Sequence, residues 1–200
     1  MFSIWQAHLS FILLGFVLLS HWRFTTRWRF WILQIIATLS FIPVDGLPIA
    51  AYVRSFTDDL AITTLVLLAW VSLCRLGVMQ PLDSERTRNL LLLFGGLSVV
   101  LYPATLGLTY LDPYRCGFNP RPMIVLVLAV SLLMLWLRNY LAVFMLTAAT
   151  LAFAKRIKPS ENYWDYLIDP LLASYCLVAG LVMLAITIWR PLLKISRGQS

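Results

Sequence analysis

The chain has 200 residues, 60% of them apolar and 12% charged, with a mean hydropathy of +0.82. A soluble domain of this size needs a hydrated, charged shell that this composition cannot furnish, and the same figures exclude a disordered chain. The net charge of +7, from 16 Lys and Arg against 9 Asp and Glu, is spread in twos and threes between apolar runs, so no basic face for a nucleic acid is expected.

Runs long enough to cross a bilayer as helices follow one another at 4–22, 30–53, 60–79, 90–111, 123–138, 139–154 and 171–189. The expected fold is all-α: a polytopic transmembrane bundle of about seven spans, filling 1–200 as one integral membrane domain with no soluble domain. Barrel-type alternation is absent, since "LVLLAW" and "MIVLVLAVSLLML" are apolar on every side.

The first run has no positive residue before Arg23 and is expected to stay as an anchor, not to be cleaved. It holds both histidines, His8 and His21. They lie about 20 Å apart along a helix, too far to share a metal ion, and both read as interfacial.

The second run contains "FIPVDGLPIAAYV", where Asp45 stands between Pro43 and Pro48. Proline removes a backbone donor, so a kinked or broken helix is expected at 43–48, with Gly46 easing the turn. Asp45 then either caps the outer half-helix or marks a polar cavity. The third run follows "TDDL", where Asp58 or Asp59 would cap its helix. In the fourth, Pro103 and Gly107 suggest a second kinked or broken segment at 103–107. The stretch 123–154 is interrupted only by "RNY". A tight hairpin at Arg138, with Trp136 and Tyr140 at headgroup depth, is favoured over one long helix, which would give six spans.

Arginine placement orients the chain. With the amino end periplasmic and the carboxyl end cytoplasmic, ten basic residues fall inside and six outside, as in a bacterial-type inner membrane. Asp83 and Glu85 are then the acids inside, and the remaining seven lie at or near the outer face.

A polar site, if present, therefore faces outward. Its candidates are Asp45, Asp58, Asp59, Asp112, Tyr114, Arg115, Arg121, Tyr163, Trp164, Asp165 and Asp169. In "DPYRCGFNPRP" the guanidinium forks of Arg115 and Arg121 suit phosphate or carboxylate, or pair with Asp112, Asp58 or Asp59. In "PSENYWDYLIDP" Ser160 would cap a short helix with Glu161 in its first turn. Tyr163, Trp164 and Tyr166 form an interfacial aromatic belt or, with Asp165 and Asp169, a platform for a sugar or lipid headgroup. Asp169 also precedes Pro170, as a helix cap does.

No HExxH, GxSxG or glycine-rich phosphate loop occurs, Cys74, Cys116 and Cys176 form no ligand cluster, and neither cofactor nor metal is expected. No span carries a channel-like polar stripe. The expected function is that of a non-catalytic accessory subunit or scaffold. Its partners would be membrane lipids, a membrane protein or a second copy of the chain, and a lipid-linked glycan. The alternatives are a small membrane enzyme acting on a lipid-linked substrate, or a transporter using Asp45 at a broken helix.

Overall fold

The computed structural model describes residues 4–20, 23–110 and 112–197, with side chains through residue 189. His21 and the side chains of Arg190, Lys194 and Arg197 lie outside that description. The fold is all-helical: α1 (Ile4–Leu19), α2 (Thr26–Ser40), α3 (Ile49–Thr57), α4 (Ile62–Arg75), α5 (Ser84–Thr105), α6 (Pro120–Trp136), α7 (Tyr140–Ala154), α8 (Trp164–Leu167) and α9 (Pro170–Arg197). A 3-10 helix, η1, covers Pro113–Phe118, and a minimal hairpin pairs β1 (Pro43–Val44) with β2 (Leu47–Pro48). Two of these helices, Ser84–Thr105 and Pro170–Trp189, are long and apolar enough to cross a membrane; α1, α4, α6 and α7 are apolar but shorter.

The stretch 123–154 is two helices. Arg138 takes φ +54 in the turn between them, and buried Asn139 accepts from the Ala142 N–H at 3.3 Å while donating to the Arg86 carbonyl at 2.9 Å.

Two expected elements differ. Residues 30–53 are broken where a kink or break is expected, but by a hairpin: α2 stops at Ser40, the chain turns through Asp45 (φ +46) and Gly46 (φ +83), and α3 begins at Ile49. Positive φ at both central positions is the backbone that a two-residue β-turn requires, and Asp-Gly is a favoured pair for it. The prolines cost no ladder hydrogen bond, because Pro43 faces Pro48 at a non-hydrogen-bonded pair, between the turn-closing Val44–Leu47 pair and the Ile49 N–H bond to the Ile42 carbonyl at 3.0 Å. Asp45 is exposed at the tip and caps nothing; the residue before α3 is Pro48, which has no side-chain cap. At 103–107 the helix ends and does not resume. Pro103 lies in its last turn, and Gly107 at φ +73 lets Leu108 N–H bond back to the Pro103 carbonyl at 2.8 Å.

Long-range hydrogen bonds divide the molecule into two ends. At one, Gln6, Leu60, Thr63, Tyr114 and residues 158–169 bond to one another. At the other, Arg75 Nη1 donates to the carbonyls of Val17 and Ser20 at the end of α1, Arg29 donates to the carbonyl of Arg75 at the end of α4, and Asn139 meets Arg86. Helices α1, α4 and α9 thus start at the first end, the loop end, while α5 and α7 start at the second. One buried apolar cluster joins α1 and α4–α9, including Phe94, Met145, Leu146 and Leu172.

Candidate functional site

The loop after α7 folds back over the loop end and carries Lys158, which is only 7% exposed. Its Nζ donates to the carbonyls of Asp59 at 2.6 Å, Asp165 at 2.8 Å and Leu60 at 3.3 Å, so all three ammonium hydrogens have acceptors. Burial pushes the Lys158 pKa down, against the opposing pull of Asp165, Asp59, Asp169 and Asp58. The Tyr166 hydroxyl accepts from the Lys158 N–H at 3.2 Å and donates to the Lys158 carbonyl at 2.8 Å. Burial also raises the Tyr166 pKa.

Asp169 caps two helices. Its Oδ1 accepts from Leu172 N–H in the first turn of α9 at 2.7 Å, and its Oδ2 accepts from Ala61 N–H at the start of α4, also at 2.7 Å. The expected caps, Asp58 and Asp59, do not serve α4: Asp58 instead ends α3 at φ +55, and Asp59 pairs with Arg54 at 2.7 Å. Thr63 Oγ1 adds a 2.6 Å bond to the Leu167 carbonyl.

The carboxylate of Asp165 accepts from Tyr114 Oη at 3.1 Å and from the hydroxyl of Ser160. Burial first, and then the charge of Asp165, raises the Tyr114 pKa. Asn162 locks η1 to this loop, donating to the Tyr114 carbonyl at 3.0 Å and accepting from the Trp164 N–H at 2.9 Å. The Trp164 indole N–H donates to the Pro113 carbonyl at 2.9 Å, and the Tyr163 N–H donates to the Gly117 carbonyl at 3.0 Å. Position 117 must be glycine, because a Cβ there would stand 1.8 Å from Asn162 Oδ1.

These segments enclose a cleft of about 430 Å³ between α3, the end of α5, η1 and the folded loop. Asp58, Asp59, Asp165 and Asp169 line it against one cation, Lys158, with Phe56 and Tyr102 among the aromatic walls.

Of the expected residues, Asp58, Asp59, Tyr114, Asp165 and Asp169 meet in this cleft. Asp112 lies beside it, exposed, and caps η1 through the Arg115 N–H at 3.2 Å. Arg115 and Arg121 are exposed and pair with none of the aspartates, and Asp45 is at the separate hairpin tip. Tyr163 and Trp164 form neither belt nor stacking platform. They are 0% and 4% exposed, because their polar tips find partners inside: Tyr163 Oη meets Thr150 Oγ1 at 2.6 Å, and the indole N–H reaches Pro113. Tyr166 is likewise buried, and α8 begins after Tyr163 without a Ser160 cap. His8 stacks on Phe41 at 4.2 Å and meets Ser40 Oγ at 3.2 Å.

Sequence reasoning missed Lys158, Asn162 and Gly117. Nothing in the spacing separates Lys158 from Lys155 and Arg156; the glycine in a proline-rich loop was the available signal for close packing. No protein-family model, no curated protein and no solved structure matches this chain.

Proposed function

We propose that the chain is a multi-pass integral membrane protein of inner-membrane type, a non-catalytic accessory subunit. Its acidic cleft would engage a membrane partner that presents ammonium, guanidinium or hydroxyl groups. The crossings are α1, α2 with its hairpin, α4, α5, α6, α7 and α9, with the loop end non-cytoplasmic.

Exposed apolar side chains support the membrane reading: Leu128, Leu132 and Leu135 on α6, and Leu181, Leu184 and Ile188 on α9. Such contiguous surfaces suit lipid. At 1.5 Å per residue the 14 residues of α4 cover about 21 Å, short of a hydrocarbon core of about 30 Å. The chain before α4 is compatible with membrane depth because its buried backbone groups have partners. Asp59 O meets Lys158, Leu60 O meets Gln6 and Lys158, and Ala61 N–H meets Asp169. Irregular backbone at that depth requires such pairing.

The observation that carries the non-catalytic reading is the engagement of the cleft's polar groups. Lys158 holds three carbonyls, Asp169 two helix starts and Asp165 two hydroxyls, so none of these three is poised to move a substrate proton, and Asp59 is held by Arg54 through Oδ2, its buried Oδ1 alone unpartnered. Asp58 remains exposed for docking. Four aspartates against Lys158, with Arg54 paired to Asp59, leave a net negative charge that disfavours a lipid-linked phosphate substrate. The transporter reading loses its motive residue, since Asp45 sits between two strands and not between half-helices.

Phosphatase and fluorescent-protein fusions at residues 118, 138 and 162 should report outside, inside and outside; an inside signal at 162 would overturn the orientation. Purification in mild detergent should yield a stoichiometric second subunit that Asp58→Asn weakens. Turnover of a lipid-linked substrate by the isolated chain would sink the accessory reading.

A further inference from the structure

The opposite end holds a second cleft of about 440 Å³, between α4, the start of α5 and α9, closed at one side by Arg29 of α2. Its chemistry is the reverse of the first. Arg29 and Arg75 line it, and among the described residues no carboxylate does. Leu67, Val71, Leu90, Leu91 and Tyr175 form an apolar wall beside these cations.

Two side chains that line it carry donors without an acceptor among the described residues. Arg75 uses Nη1 for the Val17 and Ser20 oxygens, while its Nε and Nη2 make no hydrogen bond among the described residues. Trp70, on the same helix, has its indole Nε1 buried with no acceptor. An indole nitrogen can only donate, so what is missing is an oxygen. Arg29 is held against the same helix end by its bond to the Arg75 carbonyl, and both arginines line the cleft. A planar guanidinium suits phosphate oxygens, and the volume suits a headgroup with the top of a chain attached.

We propose that this cleft binds an anionic amphiphile: a phosphate-bearing lipid headgroup on Arg75, Arg29 and the Trp70 indole, with its apolar tail along Leu67, Leu90 and Leu91. The site is separate from the acidic cleft and does not depend on a partner protein.

The test uses the full chain in mild detergent, probed by native mass spectrometry. The probes are dioctanoyl phosphatidylglycerol, dioctanoyl phosphatidylcholine and inorganic phosphate. The anionic lipid should bind about tenfold more tightly than the zwitterionic one, because a net charge faces a cleft lined by two arginines and, among the described residues, by no carboxylate. Trp70→Phe keeps the ring and removes the donor; it should weaken the anionic lipid by about three- to tenfold with no loss of thermal stability. Arg75→Gln should weaken it further, and Trp31→Phe on exposed α2 should change nothing. Equal affinity for the two lipids would overturn the proposal, as would unchanged binding by Trp70→Phe. Displacement of the lipid by inorganic phosphate at matched concentration would assign the site to a free anion and overturn the amphiphile. A chain that alkaline carbonate strips from vesicles, yet that still prefers the anionic lipid, would refute the membrane reading and leave this site standing.

Discussion

Replacing Asp169 by Ala removes one side chain and uncaps two helices 108 residues apart. The start of α9 loses the Leu172 N–H acceptor, a cap loss that costs about 1 kcal/mol. The start of α4 loses the acceptor for the Ala61 N–H, on a residue that is 0% exposed, and a buried donor left unpaired costs about 1–3 kcal/mol. Together the loss is about 2–4 kcal/mol, or on the order of 5–15 °C in the unfolding midpoint for a chain of this length. Asp169→Asn keeps one acceptor and turns an N–H donor on the other backbone amide, so it should fall between the variant and the wild type. Thermal unfolding in detergent micelles measures the shift, and amide hydrogen exchange should speed up at both Ala61 and Leu172. A midpoint within 2 °C of the wild type, or exchange enhanced at Leu172 alone, would refute the double cap.

Gly117→Ala should destabilise by about 2 kcal/mol or prevent accumulation of folded protein, since its Cβ meets Asn162 and Trp164; the same midpoint assay reads it. Lys158 has a folded pKa below its unfolded value, so its penalty on folding lifts as pH rises from the folded pKa toward 10.5. The advantage of wild type over Lys158→Met should therefore grow with pH in that window. Tyr114, Tyr163 and Tyr166 have raised values and pull the other way: their contribution, complete below about 10, is lost above it. Asp45→Asn should shift stability by less than about 0.5 kcal/mol, because asparagine suits the same turn and the carboxylate is exposed. Arg75→Lys keeps the charge and hence the fusion-reported orientation, yet should lower the midpoint by loosening the end of α1.

The helical class and most helix positions were legible because apolar runs leave little alternative to helix. The turn at Arg138 was legible because a charged residue between Trp136 and Tyr140 interrupts the apolar run. The hairpin at 43–48 was signalled by Asp-Gly between hydrophobic residues, but a surrounding run of membrane length outweighed a two-residue cue. Asp169 beside Pro170 gave away its own helix, whereas its bond to Ala61 depends on tertiary contact that no local pattern encodes. The aromatic cluster at 163–166 was misread for a related reason. A tyrosine or tryptophan suits an interface and a core equally well, and its polar tip decides between them only when a partner such as Thr150 or the Pro113 carbonyl is in reach.

The opposite signs of the two ends follow from helix direction. Helices α1, α4 and α9 begin at the loop end, so their unpaired N–H groups gather there and attract a carboxylate, as Asp169 does for two of them. Their carbonyl-bearing ends lie opposite, where Arg75 closes α1 and Arg29 closes α4. Helix α7 runs the other way and ends at the loop end, where Lys155 and Arg156 follow its last turn. Arg75 and Arg29 are therefore the groups that finish α1 and α4. Replacing either by a neutral residue would leave the last carbonyls of the helix it closes without that donor, so the signs of the two ends are set by the helices themselves.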